Sequence, residues 1–207
     1  MFRIGLAGGI GSGKSEVAGR LSELGAHVME ADAVAREIVR AGSPTLEAVV
    51  EAFGRSVLKE DGSLDRAALA EVAFSSEDGL ERLNAITWPP LQAAIIERSE
   101  RIEREHPGGV LVVDASLLVR WEMLDFFDVV LIVTAPARLR LSRLTASGMS
   151  REDATARMRA QLPEEVLTDA ADVVIENEGT LEELREKVDR FWSTLPETTQ
   201  GETEWAR

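Results

Sequence analysis

Five short stretches of the chain are rich in apolar residues and have the length of β-strands. They cover residues 2–7, 26–32, 110–115, 128–136 and 171–179. Between these stretches, apolar positions recur every three or four residues, which is the spacing of an amphipathic helix. Strands that alternate with helices predict an α/β fold with a five-stranded, mostly parallel sheet flanked by helices.

The helical segment between the second and third predicted strands is too long for a simple crossover. Within it, Asp61-Gly62 predicts a turn, and Pro89-Pro90 predicts a break or kink in the backbone. We therefore predict a helical cap over about 43–106 inside a single domain of residues 1–195. The polar stretch 196–207 shows no periodicity and is predicted to be a flexible tail.

Composition limits the classes of function. The 207 residues carry a formal net charge of -14, which argues against binding to nucleic acid or to an anionic membrane. Cysteine is absent, which excludes disulfides, thiolate catalysis and cysteine–zinc sites. His27 and His106 do not have the spacing of metal ligands. The N-terminus does not resemble a signal peptide and no apolar run is long enough for a membrane span, so we expect a cytoplasmic protein.

The loop after the first predicted strand reads GGIGSGKS and matches the phosphate-binding pattern G-x-x-x-x-G-K-[ST]. Glycines let successive backbone amides turn toward an anion, and the helix that follows adds its N-terminal partial positive charge. Lys14 can reach the outer phosphates, and Ser15 can offer a hydroxyl to Mg²⁺. The residues predicted to bind the nucleotide here are Gly9, Gly11, Ser12, Gly13, Lys14, Ser15 and Glu16.

A phosphate loop alone leaves a small-molecule kinase, a GTPase-type switch and an ATPase open. The N-K-x-D and D-x-x-G elements of a guanine-specific switch do not occur in the chain. The small size, the predicted cap and a basic segment favour a kinase, so we predict a P-loop kinase-like fold.

Carboxylates and an arginine follow the predicted strands at the edge where ligands bind. Asp32 is the predicted base that accepts the proton of a substrate hydroxyl, although it is also placed to cap a helix, and Glu30 is an alternative base. Arg36, one turn further on, is predicted to bind a substrate phosphate, with an ordinary solvated arginine as the alternative. Asp114 ends the third strand, where it is predicted either to help hold Mg²⁺ or to bond local backbone.

A basic segment over about 137–165 is predicted to form a lid over the nucleotide. Six arginines lie between residues 138 and 159, against two acidic residues, in a chain that is acidic as a whole. Guanidinium groups suit phosphate oxygens, and closure of such a lid would exclude water.

Several stretches together resemble the dephospho-coenzyme A kinase family over nearly the whole chain, to about Leu195. These are LAGGIGSGKSEVA, ADAVAREIV, LNAITWP, SLLV, SREDATARMRAQ with Gln161, and ADVVIENEGTLEEL. The resemblance implies ATP and Mg²⁺ as cofactors and the ribose 3′-hydroxyl of dephospho-coenzyme A as acceptor. It implies that Asp32 is the base, Lys14 the phosphate clamp and Arg143 a lid arginine, with Asn177 and Gly179 near the adenine.

The chain departs from the family pattern on the acceptor side and in the lid. The positions are Trp88, Ser116, Arg120 and Ser147, with Glu122 two residues later than the usual acid. Two alternatives therefore stay open: a nucleoside or nucleotide kinase of the same fold, and a non-catalytic ATP-binding regulator.

Overall fold

The computed structural model describes residues 1–120 and 123–196, so all but the first residue of the predicted tail lies outside the described residues. Its strands are β1 (Phe2–Gly8), β2 (His27–Glu30), β3 (Val110–Asp114), β4 (Val129–Thr134) and β5 (Val173–Glu176). They form one sheet in the order β2-β3-β1-β4-β5, and every neighbouring pair is parallel. The predicted five-stranded sheet is confirmed. All five strands point the same way, so their carboxyl ends share one edge.

Helices fill the segments between the strands. They are α1 (Lys14–Glu23), α2 (Ala31–Ile38), α3 (Pro44–Phe53), α4 (Arg66–Phe74), α5 (Gly79–Glu105), α6 (Ala137–Ala146), α7 (Arg151–Arg159), α8 (Glu164–Asp169) and α9 (Leu181–Ser193). Side-chain caps fix several of the starts. Ser43 accepts from the Leu46 amide, Asp65 accepts from two amides of α4, and Thr180 forms a capping box with Glu183.

Of the break or kink predicted at Pro89-Pro90, the break is wrong, because α5 runs from Gly79 to Glu105 with both prolines inside it, and the kink stays a prediction. Two adjacent prolines remove two backbone donors, but the bonds of the remaining turns on both sides are enough to maintain the helix. Buried residues after the prolines, Leu91 and Ile95, add the packing that favours its continuation.

The chain divides into two compact units. The first, which we call the sheet unit, comprises residues 1–30 and the chain from Ile102 onward. Its core lies between the sheet and the helices α1 and α9, and contains Ile4, Leu6, Val17, Leu21, Val112, Leu131, Val133, Leu184, Val188 and Phe191, among others. The two helices are also joined by an ion pair in which Arg20 contacts Asp189 at 2.7 Å. Each fully buried Val, Leu or Ile stabilises the fold by about 1.5–3 kcal/mol.

The second unit, which we call the helical unit, runs from Ala31 to Arg101. It has its own apolar core, formed by Val49, Phe53, Val57, Leu69 and Ala73. The guanidinium of Arg82 lies over the ring of Phe53, 4.7 Å from its centroid. The predicted functional division, with a cap over about 43–106 and a lid over about 137–165, stays a prediction.

None of the helices in the described ranges combines the length and the apolar character that crossing a membrane requires.

Candidate active site

The phosphate loop connects the end of β1 to the start of α1, as the sequence predicts. Gly11 and Gly13 have positive φ angles of 77° and 98°, a region that residues with a Cβ atom rarely adopt. Gly13 directly precedes Lys14, the first residue of α1. The Glu16 amide donates to the Gly13 carbonyl, whereas the amides of Lys14 and Ser15 precede the first helical hydrogen bond and carry the partial positive charge of the helix, so the loop presents donors to an anion.

Three successive carbonyls of the loop accept hydrogen bonds from side chains outside it. The pairs are Arg140 Nε to Ile10 O (2.8 Å), Arg143 Nη1 to Gly11 O (3.4 Å) and Asn177 Nδ2 to Ser12 O (2.7 Å). A carbonyl and the following amide share one rigid peptide plane and point in opposite directions. The amides of Gly11 and Gly13 therefore point away from these side chains, which pre-orients the loop.

The same side chains explain two of the glycines. A Cβ atom on Gly9 would overlap the guanidinium of Arg140, and one on Gly13 would overlap the amide nitrogen of Asn177. Any larger residue at either position would displace a side chain that holds the loop. Glycine is needed here for close approach as well as for backbone conformation.

Arg140 and Gln161 hold the first half of the loop. Gln161 Oε1 accepts from the Ile10 amide at 2.9 Å and from Arg140 Nη2 at 2.8 Å. Burial lowers the pKa of the Arg140 guanidinium from its ordinary value, and the charge of Glu164 partly opposes that shift. Arginine nevertheless stays cationic, so its bond to the Ile10 carbonyl is charge-assisted.

Arg143 and Asn177 hold the second half. Arg143 Nη2 donates to the side-chain oxygen of Asn177 at 3.1 Å and to its backbone oxygen at 3.2 Å. Asn177 is buried just after β5, whereas Gly179 is exposed immediately before the N-cap of α9. The family resemblance implies a place near the adenine for Asn177, and sequence reasoning missed its bond to the loop.

Lys14 and Asp114 contact each other. The Lys14 ammonium donates to Asp114 Oδ1, and both side chains are largely buried. The sequence predicts a phosphate partner for Lys14 and either Mg²⁺ or local backbone for Asp114, and those roles stay predictions. The pairing places a cation and a carboxylate together beside the loop, at the carboxyl end of β3.

The other predicted loop residues differ in accessibility. Ser15 and Glu16 are exposed on the first turn of α1, so the Ser15 hydroxyl is accessible to a ligand. Ser12 is buried, and its hydroxyl has no hydrogen-bond partner within the described ranges. Among residues 1–120 and 123–196, no group of three or more His, Asp or Glu side chains is placed to hold a metal by itself. A Mg²⁺ ion at Ser15 and Asp114 would therefore need phosphate oxygens as further ligands.

Asp32 and Arg36 belong to the helical unit. They lie on α2, which begins directly after β2, and both are exposed. Asp32 occupies the first turn of the helix, so the alternative that it precedes and caps a helix starting at Ala33 does not hold. Glu30, the alternative base, is the exposed last residue of β2.

The departures from the family pattern have ordinary local environments. Ser147 ends α6 and donates to the carbonyl of Leu144 at 2.8 Å, which is a capping role. Trp88 is half-buried within α5, and Ser116 is exposed after β3. Arg120 closes a short 3₁₀ turn, and Glu122 lies outside the described residues.

Comparison with known proteins identifies the family. The family model described as Dephospho-CoA kinase matches residues 2–183. This chain belongs to the dephospho-CoA kinase family. It is 46% identical over 196 residues to the dephospho-CoA kinase of Corynebacterium jeikeium, covering 94% of this chain and 100% of that protein. It is 44% identical to the dephospho-CoA kinase of Thermobifida fusca, covering 94% and 96% of the two chains.

Solved structures support the fold of this dephospho-CoA kinase family member. The crystal structure of TT1252 from Thermus thermophilus superposes with a TM-score of 0.78 at 35% identity, covering 94% of this chain and 98% of that one. A dephospho-CoA kinase from Campylobacter jejuni superposes with a TM-score of 0.68 at 23% identity, covering 92% and 95%. The predicted P-loop kinase-like fold is confirmed.

Proposed function

We propose that the chain transfers the γ-phosphoryl group of ATP to the ribose 3′-hydroxyl of dephospho-CoA, giving CoA and ADP. Membership of the family makes it an ATP-dependent kinase that phosphorylates an alcohol group. The observation that carries the proposal is a complete, pre-oriented phosphate loop in a chain that matches the family over residues 2–183.

The donor side of the proposed reaction is the loop. Its amides and the Lys14 ammonium bind the phosphates, as charge and hydrogen bonding favour. Ser15 and Asp114 supply the hard oxygen ligands that suit Mg²⁺, and their location beside the loop supports that role. Mg²⁺, when bound, neutralises charge on the phosphate oxygens. Asn177 and Gly179 are proposed to lie beside the adenine.

The acceptor side of the proposed reaction depends on Asp32. Its carboxylate accepts the proton of the 3′-hydroxyl and holds that oxygen in line with the γ-phosphorus. A bond forms between the 3′-oxygen and phosphorus, and the bond from phosphorus to the bridging oxygen of ADP breaks. Arg36 is proposed to bind a phosphate of the acceptor. Arg143 is proposed to neutralise charge that develops during transfer, which requires it to leave the Gly11 and Asn177 oxygens that it contacts in the structure. Exposure of Asp32 and Arg36 is consistent with contact to a ligand.

The test is release of ADP by the purified chain with ATP, Mg²⁺ and a panel of acceptors. The panel contains dephospho-CoA, adenosine, AMP and a no-acceptor control. We expect ADP release that requires dephospho-CoA, with CoA identified by mass spectrometry. Faster turnover of adenosine or AMP would favour a nucleoside or nucleotide kinase. ATP binding without release of ADP for any acceptor would favour a regulator.

Two further parts of the proposal concern organisation. We propose that the cap over about 43–106 binds the acceptor and that the lid over about 137–165 closes on the nucleotide, as basic helices near a phosphate site suggest. We also propose that the protein acts in the cytoplasm. Fractionation of cells that express a tagged chain tests the location, and an active fraction in the membrane pellet would contradict it.

A further inference from the structure

Ile10 of the phosphate loop has both of its backbone groups hydrogen-bonded to side chains that are distant in sequence. Its amide donates to Gln161 Oε1 at 2.9 Å, and its carbonyl accepts from Arg140 Nε at 2.8 Å. Gln161 and Arg140 are bonded to each other at 2.8 Å, which closes a ring of three hydrogen bonds. We call this pair of side chains the Ile10 clamp. Both backbone groups of one residue are thus fixed by groups distant in sequence.

The position of the clamp matters because of what flanks Ile10. Gly9 and Gly11 lie on either side, and Gly11 already adopts a positive φ of 77°. The Ser12 amide donates to the Gly9 carbonyl at 3.0 Å and closes a turn around Ile10 and Gly11, but with glycine in the turn this bond permits either orientation of the central Ile10–Gly11 peptide plane. Rotation of that plane would turn the Gly11 amide away from the direction that it has in the structure.

We propose that Arg140 and Gln161 are positioning residues for ATP, acting through the backbone of Ile10 and touching neither nucleotide nor acceptor. The inference rests on the proposed function only in that ATP binds at this loop. If the loop adopts its binding conformation only part of the time, the apparent dissociation constant of the ligand is the intrinsic one divided by that populated fraction. The clamp raises the fraction, so its loss weakens ATP binding more than it slows phosphoryl transfer.

The clamp also connects the loop to the segment predicted as the lid. Arg140 lies on α6, and Gln161 follows α7 by two residues. Both ends of this helical pair are therefore hydrogen-bonded to a single loop residue. The orientation of the loop amides consequently depends on the segment over about 137–165, even where that segment does not contact phosphate.

The hydrogen bonds of the clamp allow some substitutions that keep them and others of similar size or charge that lose them. Gln161 uses one oxygen as acceptor for both bonds, so Gln161→Glu keeps both and Gln161→Met keeps neither at similar size. Arg140 uses Nε and Nη2 toward different partners, so Arg140→Lys keeps the charge but cannot make both bonds. Arg185→Met is the matched control, because Arg185 lies on the exposed side of α9 and pairs with Glu23.

The experiment measures the dissociation constant of ATP by calorimetry, and KM and kcat where turnover is present. We expect Gln161→Met and Arg140→Lys each to raise the dissociation constant and KM for ATP about tenfold, with kcat within about twofold of wild type. Gln161→Glu should stay within about threefold, and Arg185→Met should match wild type. The double variant Gln161→Met/Arg140→Lys should have a dissociation constant for ATP no higher than that of the more affected single variant. The reason is that both substitutions disrupt the same ring of hydrogen bonds, so their effects do not add.

Three results would overturn the clamp as a positioning device. They are unchanged ATP affinity in Gln161→Met, equal loss in Gln161→Glu and Gln161→Met, or a fall in kcat with KM unchanged. Circular dichroism and a melting temperature for each variant separate these results from unfolding. The assay also distinguishes the two proposals. If the chain binds ATP but does not phosphorylate dephospho-CoA, the proposed function is refuted, and the ATP affinities of the variants still test the clamp.

Discussion

The phosphate loop and the start of α2 both carry predicted site residues, but the protein holds them in different ways. Three side chains from α6 and the end of β5 donate to successive loop carbonyls. Asp32 and Arg36, by contrast, are exposed, and neither side chain makes a hydrogen bond or ion pair within residues 31–101. The proposed nucleotide side is therefore held by hydrogen bonds in advance, and the proposed acceptor side presents its charged groups to solvent.

This difference follows from the chemistry of the two ligands. A triphosphate is bound mostly by backbone amides, which are useful only when their peptide planes are oriented beforehand. An acceptor hydroxyl needs one carboxylate within hydrogen-bond reach, and apo enzymes often leave such groups loosely held until the substrate binds. Substitutions on the two sides should therefore separate binding from turnover.

The largest expected effect is on the nucleotide side. Lys14→Met removes the ammonium that is proposed to stabilise the phosphates, so we expect kcat/KM to fall by about 10²- to 10³-fold and ATP affinity to fall with it. Coupled detection of ADP and calorimetry measure the two. Lys59→Met, at an exposed lysine of the helical unit, is the control and should change neither. Loss of turnover with full ATP affinity would contradict this assignment.

On the proposed acceptor side, Asp32→Asn keeps the shape of the side chain and removes the proposed base. We expect kcat to fall by about 10²-fold while the dissociation constant of ATP stays within about twofold of wild type. Asp169→Asn, at the exposed end of α8, is the matched control. A parallel loss of ATP binding in Asp32→Asn would remove the contrast between the two sides.

A third substitution tests whether the loop is held in advance. Asn177→Leu removes the donor to the Ser12 carbonyl and leaves buried polar groups unsatisfied, so we expect the free energy of unfolding to fall by about 1–3 kcal/mol. Urea unfolding measures this change. Asn84→Leu, in the helical unit, is the control, because Asn84 has no hydrogen bond through its side chain in the described part of the chain. Equal stability of the two variants would show that the loop does not depend on Asn177.

The smallest effect concerns the end of the sheet away from the loop. The rings of His27 and His106 are in contact, with centroids 4.2 Å apart and planes tilted by 31°. Burial, and then repulsion from His106, lower the pKa of His27 from its ordinary value of 6.5, while Glu105 opposes the shift. The unfolded chain therefore binds a proton more readily below pH 6.5, and stability falls as pH falls from there toward the lower folded pKa. The slope of melting temperature against pH should be smaller in His27→Gln, and an unchanged slope would contradict the assignment.

Local signals were sufficient for the sheet and for the loop. Continuous apolar runs such as Val110–Asp114 identify buried parallel strands, and the glycine pattern with Lys14 and Ser15 identifies the phosphate site. Both depend on neighbours in sequence. The prolines of α5 misled the prediction, because helix continuity there depends on packing and on the turns around them, which a two-residue motif does not describe.

The side chains that hold the loop could not be assigned from sequence. Arg140 is one of six arginines in a basic segment, and nothing local separates it from Arg138 or Arg157. Gln161 was recognised only as part of a family pattern, without a physical role. Their function depends on contacts that span more than a hundred residues, from Ile10 to Arg140 and Gln161. Only the folded arrangement brings these groups together.

The contact between Lys14 and Asp114 changes what the affinity for ATP measures. On the proposed function, an incoming phosphate takes the place of the Asp114 carboxylate, because the lysine is already paired with this internal anion. The contribution of Lys14 to ATP affinity is then the difference between its attraction to the phosphate and its attraction to Asp114. A singly charged anion such as chloride is attracted to the Lys14 ammonium too weakly to replace the Asp114 carboxylate. A polyphosphate can replace it, because it carries more charge and also binds the amides of the loop. On the proposed function, the pair therefore favours highly charged ligands over the small ions that surround the protein.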